Sequence, residues 1–346
     1  MAGPLHTPVA PFPVSAPVSS AELVQRMAGT SFQARNLAQG VQIWERMLRG
    51  EVTIFFGLAG AMVPAGMRRV MVYLIENRLI DCLVSTGANL YHDLHESLGY
   101  HHWQGASDAD DRKLEKHNNN RIYDLLAPQA DFIASDEYIT RFSRTLEDGY
   151  AYTTREYFYL LGLRLREDSH QEGILTAAAK ARIPIYCPAL GDSVFGFAIA
   201  AGRVKGENHL TFDIVRDVIE MTRIVAESKA TGVVYVGGGT PKNFIQQTEV
   251  AGYILGRELG GHRYAVQITT DTPQWGGLSG CTFDEARSWG KLTSQAPAVT
   301  VHCDATIALP LMVSALAETQ GATMGRRKKP SFVLDRELKI TPPSAR

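Results

Sequence analysis

A lysine two residues after a tryptophan is the feature of this sequence best suited to covalent chemistry. The segment 284–291 reads DEARSWGK and ends at Lys291. A lysine amine that is partly removed from water has a lowered pKa, and its neutral form can attack a carbonyl or imine carbon. Trp289 could stack on an alkylammonium group, and Glu285 could pair with an amine. The segment fits equally well the end of an amphipathic helix that carries a surface lysine.

Clusters of small and acidic residues follow the predicted strands. They are 57–61 (GLAGA), 85–89 (STGAN), 188–193 (PALGDS), 237–240 (GGGT), 269–271 (TTD) and 304–305 (DA). Small residues let backbone N–H groups approach a phosphate, and an acidic side chain can accept hydrogen bonds from ribose hydroxyls. A single such cluster is more typical of a turn, but their repetition favours a nucleotide-like ligand. The sequence contains neither GxGxxG nor GxxxxGK[ST].

Strand-like and helix-like segments alternate after residue 50, and they must position these clusters. Several apolar runs lack alternation, as central strands of parallel sheets do: 52–56 (VTIFF), 232–236 (GVVYV) and 299–303 (VTVHC). The pattern predicts an α/β domain with a doubly wound, mostly parallel, Rossmann-like sheet. Helices at 21–27 and 36–48 form a helical N-terminal extension. Ligands of such sheets bind outside the carboxyl ends of the strands, where the clusters lie.

The ends of the chain differ from its middle. Residues 1–20 are rich in Pro, Ala and Ser, which predicts a disordered or extended tail. Residues 21–325 are predicted to form a single domain, with 101–120 as a long surface excursion. Residues 326–346 are predicted to form a basic C-terminal tail, and the run 326–329 (RRKK) is interpreted as a solvated flank.

The composition excludes several functional classes. The 346 residues are 45% hydrophobic and 21% charged, with a formal net charge of -1, so no nucleic-acid or anionic-membrane partner is expected. No stretch reaches the 18 or so apolar residues of a membrane span, and the N-terminal segment lacks signal-peptide features. The four cysteines show no paired spacing, which favours reduced thiols in a cytoplasmic protein: Cys82, Cys187, Cys281 and Cys303.

Several segments resemble motifs of the deoxyhypusine synthase family. They are 30–37 (TSFQARNL), 188–190 (PAL) with Asp192, 237–239 (GGG) with Lys242, 284–291 (DEARSWGK) and 302–306 (HCDAT). The similarity runs from about residue 22 to 318 and is greatest to the bacterial deoxyhypusine synthase-like branch. Members of the family use NAD to oxidise spermidine, capture the butylamine fragment as a lysine imine, and pass it to an acceptor amine. The resemblance implies that Lys291 is this lysine.

The resemblance also implies the surroundings of the reaction. The expected NAD contacts are Gly60, Ala61, Met62, Val63, Pro64, Thr86, Gly87, Ala88, Asp192, Gly238, Thr270, Asp271, Asp304 and Ala305. The expected substrate contacts are Trp289, Glu285, His92, Asn243 and Gly276. No resident metal is expected. A homotetramer is implied, built as a dimer of dimers with sites at the dimer interface, and residues 1–20 are a candidate cover for the site entrance.

The sequence departs from the family pattern around the substrate. The synthases carry two glutamates where this chain has Tyr91 and His92, an aspartate at Phe197, and a proton-handling histidine at Asn243. They carry G-S-D where this chain has GGL at 276–278. A buried, unpaired ammonium is costly, so the loss of carboxylates should change the substrate or move its partners. The carboxylates that remain as replacements are Asp93, Glu96, Asp271 and Glu285.

One of these departures has three interpretations. His92 and Glu96 are four residues apart and share one face of a predicted helix. They could contact the substrate, belong to a solvated helical turn, or form half of a metal site, for which no third ligand is evident.

The favoured function is an NAD-dependent aminoalkyl transferase of polyamine metabolism that acts on a polyamine or related amine. One alternative is deoxyhypusine synthase activity on a translation-factor lysine. Another is transfer to a small diamine or guanidino-amine, as in homospermidine synthases. An alternative of a different class is a non-catalytic, NAD-binding regulatory homologue.

Overall fold

The computed structural model describes residues 7–169, 171–321 and 324–343. The two predicted tails extend beyond this part of the chain, since residues 1–6 and 344–346 lie outside the described residues. Residues 7–19 are exposed and contain no helix or strand. Among the described residues, no helix is both long and apolar enough to cross a membrane.

The α-helices, numbered in chain order, alternate with the strands of the sheet as predicted. They are α1 Ser20–Met27, α2 Phe32–Arg49, α3 Arg68–Glu76, α4 Gly87–Ser97, α5 Asp111–Lys116, α6 Gln129–Ser143, α7 Thr154–Asp168, α8 Ile174–Ala181, α9 Val194–Val204, α10 Ile214–Glu227, α11 Gly239–Ile254, α12 Phe283–Ser288 and α13 Ala305–Gln320. Side-chain caps start several of them. Ser19 accepts a hydrogen bond from Glu22 N at the start of α1, and Thr153 forms a capping box with Glu156 at the start of α7.

The strands belong to one central sheet and three small ones. They are β1 Thr53–Leu58, β2 Cys82–Ser85, β3 Trp103–Gln104, β4 Asn119–Ile122, β5 Leu125–Pro128, β6 Ala151–Tyr152, β7 Ile185–Tyr186, β8 Thr211–Phe212, β9 Thr231–Val236, β10 Tyr264–Thr269, β11 Ala298–His302, β12 Ser331–Val333 and β13 Lys339–Thr341. The central sheet has the order β11-β10-β9-β1-β2-β7, and its neighbouring strands are parallel.

This order confirms the doubly wound Rossmann-like prediction. The chain proceeds from β1 to β2 and β7 on one side, then returns to β9, β10 and β11 on the other. The direction reverses between β1 and β9, which pair in register from Thr53 with Thr231 to Leu58 with Val236. In such folds the crevice at the reversal point is the usual ligand site.

Both faces of the sheet are covered, which explains why its strands read as continuous apolar runs. Phe56 and Val234 pack in a core cluster with residues of α2 and α13, whereas Phe55 and Val233 pack in a second cluster with residues of α10 and α12. Successive side chains of a strand point to opposite faces, so each position in a doubly covered strand is buried.

Two parts of the chain are more ordered than the sequence indicated. The surface excursion at 101–120 contains α5 and contributes β3 and β4 to a small antiparallel sheet with β5. After it, α7 packs against α8 through buried residues such as Phe158 and Leu161, although no helix was predicted there.

The basic run near the C-terminus corrects another interpretation. A solvated flank is wrong for Arg327, because its side chain is buried and pairs with the buried Asp81. Beyond it, β12 and β13 form an antiparallel hairpin whose Phe332 packs into the second core cluster. This part of the predicted tail therefore lies against the domain.

Candidate active site

The loops after β1 and β2 are held together by a buried asparagine. Asn89 donates from Nδ2 to the Gly60 carbonyl at 2.7 Å and accepts at Oδ1 from the Val63 N–H at 3.1 Å. Gly60 has a φ of +76°, which suits glycine in this tight turn. Asn89 thus joins two predicted NAD segments, 60–64 and 86–88. The sequence prediction omitted it as a contact, although its place in the STGAN cluster was a usable signal.

Gly87 brings a third predicted segment to the same place. A Cβ atom at this position would lie 2.3 Å from Ser193 Cβ, so only glycine allows the start of α4 to pack against the turn containing Asp192. Thr86 precedes α4 but provides no side-chain cap, which leaves the first N–H groups of the helix unpaired by its side chain. Asp192 is exposed nearby.

Six of the fourteen predicted cofactor residues line two cavities at this edge of the sheet. One has a volume of about 460 Å³ and is lined by Ala88 and Asp192, among others. The other has a volume of about 720 Å³ and is lined by Ala61, Met62, Pro64, Asp304 and neighbouring residues. The structure therefore gathers these predicted residues after β1, β2, β7 and β11.

The residues of this edge fit a dinucleotide. Helix α4 begins at a glycine and lacks a side-chain cap, so its N-terminal N–H groups suit a phosphate. The exposed carboxylate of Asp192 suits a ribose hydroxyl. Asp304 is less available, because its Oδ1 accepts from the Thr306 N–H at 2.7 Å and caps α13.

Close packing of the triple glycine fixes the loop after β10. A Cβ atom on Gly238 would lie 2.3 Å from the Cα of Ser279, and the Gly239 N–H donates to Ser279 Oγ at 3.1 Å. Asp271 lies in this loop and accepts from the Thr272 N–H at 2.9 Å. Gly276 is exposed in a left-handed conformation with a φ of +71°.

Lys291 is not a surface lysine. Only 8% of the residue is exposed, and its N–H donates to the Ala286 carbonyl at 3.0 Å, which holds it against the end of α12. Its Nζ lies 5.5 Å from the centre of the Trp289 ring, while that ring is 68% exposed. The interpretation of 284–291 as a helix end with a surface lysine is therefore wrong.

A second buried lysine lies close to Lys291. Lys242 on α11 donates from Nζ to Gln267 Oε1 at 3.0 Å and to the Cys281 carbonyl at 2.7 Å. Burial lowers the pKa of Lys242 to about 8, and the positive charge of Lys291 contributes to this decrease. The motif GGG with Lys242 was recognised in the sequence, but no role was assigned to the lysine.

Two other predicted substrate residues, Glu285 and Asn243, lie on helices α12 and α11. Glu285 is exposed, and its carboxylate accepts from the Thr282 N–H at 3.3 Å in the capping box of α12. Asn243 is half-buried on α11. Lys291, Trp289 and Glu285 line neither of the two cavities at the strand ends.

His92 and Glu96 do not form a solvated turn. Both bind His102, through a His92 Nδ1 to His102 Nε2 distance of 2.9 Å and a Glu96 Oε1 to His102 Nδ1 distance of 2.8 Å. Among the described residues, no group of three or more His, Cys, Asp or Glu side chains is arranged to hold a metal ion.

Comparisons with known proteins agree with this geometry. The model of the family described as "Deoxyhypusine synthase" matches residues 22–316. The chain is 50% identical over 333 residues to "Probable deoxyhypusine synthase 2" of Methanosarcina mazei, covering 95% of each chain. The chain belongs to the deoxyhypusine synthase family. Members of this family are NAD-dependent aminobutyltransferases, so it is an enzyme that transfers an alkyl group other than methyl.

More distant relatives extend this comparison. The chain is 37% identical to the "Deoxyhypusine synthase-like protein" of Chlorobaculum parvum, covering 84% of each chain. A crystal structure named for a deoxyhypusine synthase from Entamoeba histolytica is 21% identical, with a TM-score of 0.60 and coverage of 86% of this chain and 93% of that one. This last likeness concerns the fold alone.

Proposed function

We propose that the protein is an NAD-dependent aminoalkyl transferase of polyamine metabolism that holds the transferred fragment as an imine on Lys291. The observation that carries this proposal is the burial of Lys291 beside the exposed face of Trp289. The Nζ of a lysine can form an imine, and an aromatic face attracts alkylammonium groups. Membership of the family supports the same assignment.

The chain's own part in the reaction is imine exchange. Bound NAD would supply the redox chemistry, namely removal of a hydride from the carbon beside the substrate nitrogen and its return to the final imine. Between these events, the Nζ of Lys291 attacks the oxidised carbon and forms a new C–N bond. The original C–N bond breaks, and the departing amine leaves with the electron pair and a proton. The acceptor amine then displaces Lys291 by the same exchange.

We assign NAD to the strand-end residues. The N-terminus of α4 would hold a phosphate group, and Asp192 would accept from a ribose hydroxyl. Thr270 and Asp271 belong to the loop after β10 and would complete the contacts. Lys291 does not line these cavities, which supports a site completed by another copy of the chain in a homotetramer. Exposed apolar side chains on α10, such as Ile214 and Val215, also favour self-association.

Borohydride trapping tests the role of Lys291. The protein is incubated with NAD and spermidine, putrescine or agmatine, reduced, digested and examined by mass spectrometry. We expect an adduct on the peptide that contains Lys291. The variant Lys291→Ala should bind NAD and give no adduct, whereas Lys180→Ala, a surface control, should react like the wild type. An adduct on Lys242 instead, or full transfer activity in Lys291→Ala, would remove Lys291 from the mechanism.

A second candidate function is deoxyhypusine synthase activity on a protein lysine, which the name of the Methanosarcina mazei relative favours. The loss of two glutamates at Tyr91 and His92 favours a small amine acceptor, as in homospermidine synthases. Adding the translation-factor precursor or a small diamine to the unreduced enzyme, together with NAD and spermidine, distinguishes them, because only the true acceptor gains mass. NAD binding without an adduct from any amine would support a non-catalytic role.

A further inference from the structure

The cavity of about 460 Å³ between α4, α6 and α9 has an aromatic wall and two polar features. Tyr91, Phe132 and Phe197 line it, and an alkyl chain could lie against them. The carboxylate of Asp136 and the imidazole of His92 also line it. Neither of these polar groups has a role in the imine exchange at Lys291.

Asp136 presents a negative charge to this cavity. The Tyr91 hydroxyl donates to Asp136 Oδ1 at 2.7 Å, which orients the carboxylate. Its second oxygen accepts no recorded hydrogen bond among the described residues. Burial raises the pKa of Asp136, so the charged carboxylate is poorly solvated there. A cation in the cavity would compensate for this lost solvation.

His92 is held by a chain of hydrogen bonds that ends at a carboxylate. Glu96 can only accept when ionised, so the Nδ1 of His102 carries the hydrogen in their 2.8 Å contact. The 2.9 Å contact between His92 Nδ1 and His102 Nε2 accommodates a hydrogen on His92 Nδ1, and in this arrangement the Nε2 of His92 is a hydrogen-bond acceptor. No hydrogen bond to this atom is recorded among the described residues.

Burial keeps His92 uncharged. It lowers the pKa of His92 to about 3, and the neighbouring imidazoles of His102 and His95 contribute to this decrease. The imidazole of His92 is therefore an uncharged acceptor at neutral pH.

We propose that this cavity binds the primary ammonium end of the amine substrate, with Asp136 as its counter-charge and His92 Nε2 as the acceptor of one of its N–H groups. A primary ammonium has three donors, which the carboxylate and the imidazole can share. One carboxylate and one neutral imidazole match one positive charge. The pairing lost with the glutamates at Tyr91 and His92 is thus replaced by a carboxylate from α6.

This inference rests on the proposed function, since aminoalkyl transfer is what makes an amine the expected occupant. It requires no chemistry at Lys291, so binding can be measured in the full-length Lys291→Ala protein in the presence of NAD. Failure of borohydride trapping would leave this binding test intact. Conversely, if amines do not bind in the cavity, an adduct on Lys291 would still support the proposed function.

Two probes of equal charge separate the roles of the two residues. Butylamine carries three N–H donors, whereas N,N,N-trimethylbutylammonium carries none. We expect calorimetry or ligand-observed NMR to show that butylamine binds about tenfold more tightly, which corresponds to about 1.4 kcal/mol. Equal binding of the two probes to the protein would overturn the proposed N–H contact without relying on any cavity variant.

Variants then assign the contact. His92→Phe should weaken butylamine binding about tenfold and abolish the preference over the trimethyl probe. Asp136→Asn should weaken both probes to a similar degree, since it removes the charge and retains a polar group. His101→Phe is the matched control, because His101 is exposed and does not line the cavity. A preserved preference in His92→Phe, or unchanged binding of both probes in Asp136→Asn, would refute the assignment.

Discussion

Replacing Arg327 by alanine should loosen the C-terminal segment from the start of the sheet. The Arg327 guanidinium donates to the carboxylate of Asp81 and to the carbonyls of Val52 and Arg78. Asp81 precedes β2 and also accepts from the Ile54 N–H of β1 at 2.9 Å. One side chain therefore fastens residues beyond α13 to the first two strands of the sheet.

The magnitude follows from what the substitution leaves behind. Removing one partner of a buried ion pair costs about 3–5 kcal/mol, because the other charge stays buried without compensation. Asp81 keeps a 3.0 Å contact with Arg78 and its bond to Ile54. We therefore expect the free energy of unfolding to decrease by about 3 kcal/mol, at the lower end of that range.

Urea denaturation measures this loss. The fluorescence of Trp44, which is fully buried and donates to the Leu79 carbonyl, should contribute to the signal. Protein concentrations must be equal, since the stability of an oligomer depends on concentration. The neighbouring Arg326→Ala is the matched control, because Arg326 is exposed and its loss should change stability by no more than about 0.5 kcal/mol.

Limited proteolysis gives a local measure of the same effect. In Arg327→Ala, cleavage within residues 328–343 should become faster than in Arg326→Ala, since the hairpin of β12 and β13 loses its anchor. Indistinguishable unfolding free energies for the two variants would show that the buried pair does not hold the segment. The run 326–329 would then behave as the solvated flank that the sequence suggested.

Two further predictions concern the site. In the wild type, the free energy of unfolding should rise between about pH 8 and 10.5, and Lys242→Met should abolish this rise. The pKa of Lys242 is about 8 in the folded state against an ordinary value of 10.5, so the unfolded state binds more protons in this window. The full rise is about 3 kcal/mol. If urea titrations show the same dependence of the unfolding free energy on pH in the variant and the wild type, this prediction is contradicted. Asn89→Ala should cost about 2 kcal/mol and weaken NAD binding in a fluorescence titration, because Gly60 and Val63 lose their buried partner. Asn77→Ala, which loses one bond to Tyr73 outside these loops, should leave NAD affinity unchanged.

The order of strands and helices was predictable because local patterns determine it. Continuous apolar runs such as 52–56 and 232–236 predicted buried parallel strands, and the structure places β1 and β9 there. The elements within the excursion at 101–120 and helix α7 were not predicted. Strand β3 has only two residues and pairs with the later strand β5, while β4 pairs with β5 across a short turn. Strands this short leave little periodicity in the sequence.

Part of the candidate site was predictable from the sequence, and part of it was not. The clusters after the strands meet at one edge because parallel strands place their carboxyl ends together, which the alternation already implied. Asn89 could have been recognised within its cluster. The neighbours of Lys291 were harder to predict from the sequence. Lys242 lies about 50 residues away along the chain, and only packing of α11 against the sheet brings it close to Lys291.

The sequence by itself determined the fold class and the family, because these depend on periodicity and on contiguous motifs. Tertiary structure alone decided which charges are paired. Arg327 looked solvated until Asp81 and Arg78 were placed beside it. His92 and Glu96 became one hydrogen-bonded chain only when His102 was brought between them. Burial and partner distance determine the state of a charge, and both depend on residues far apart in the chain.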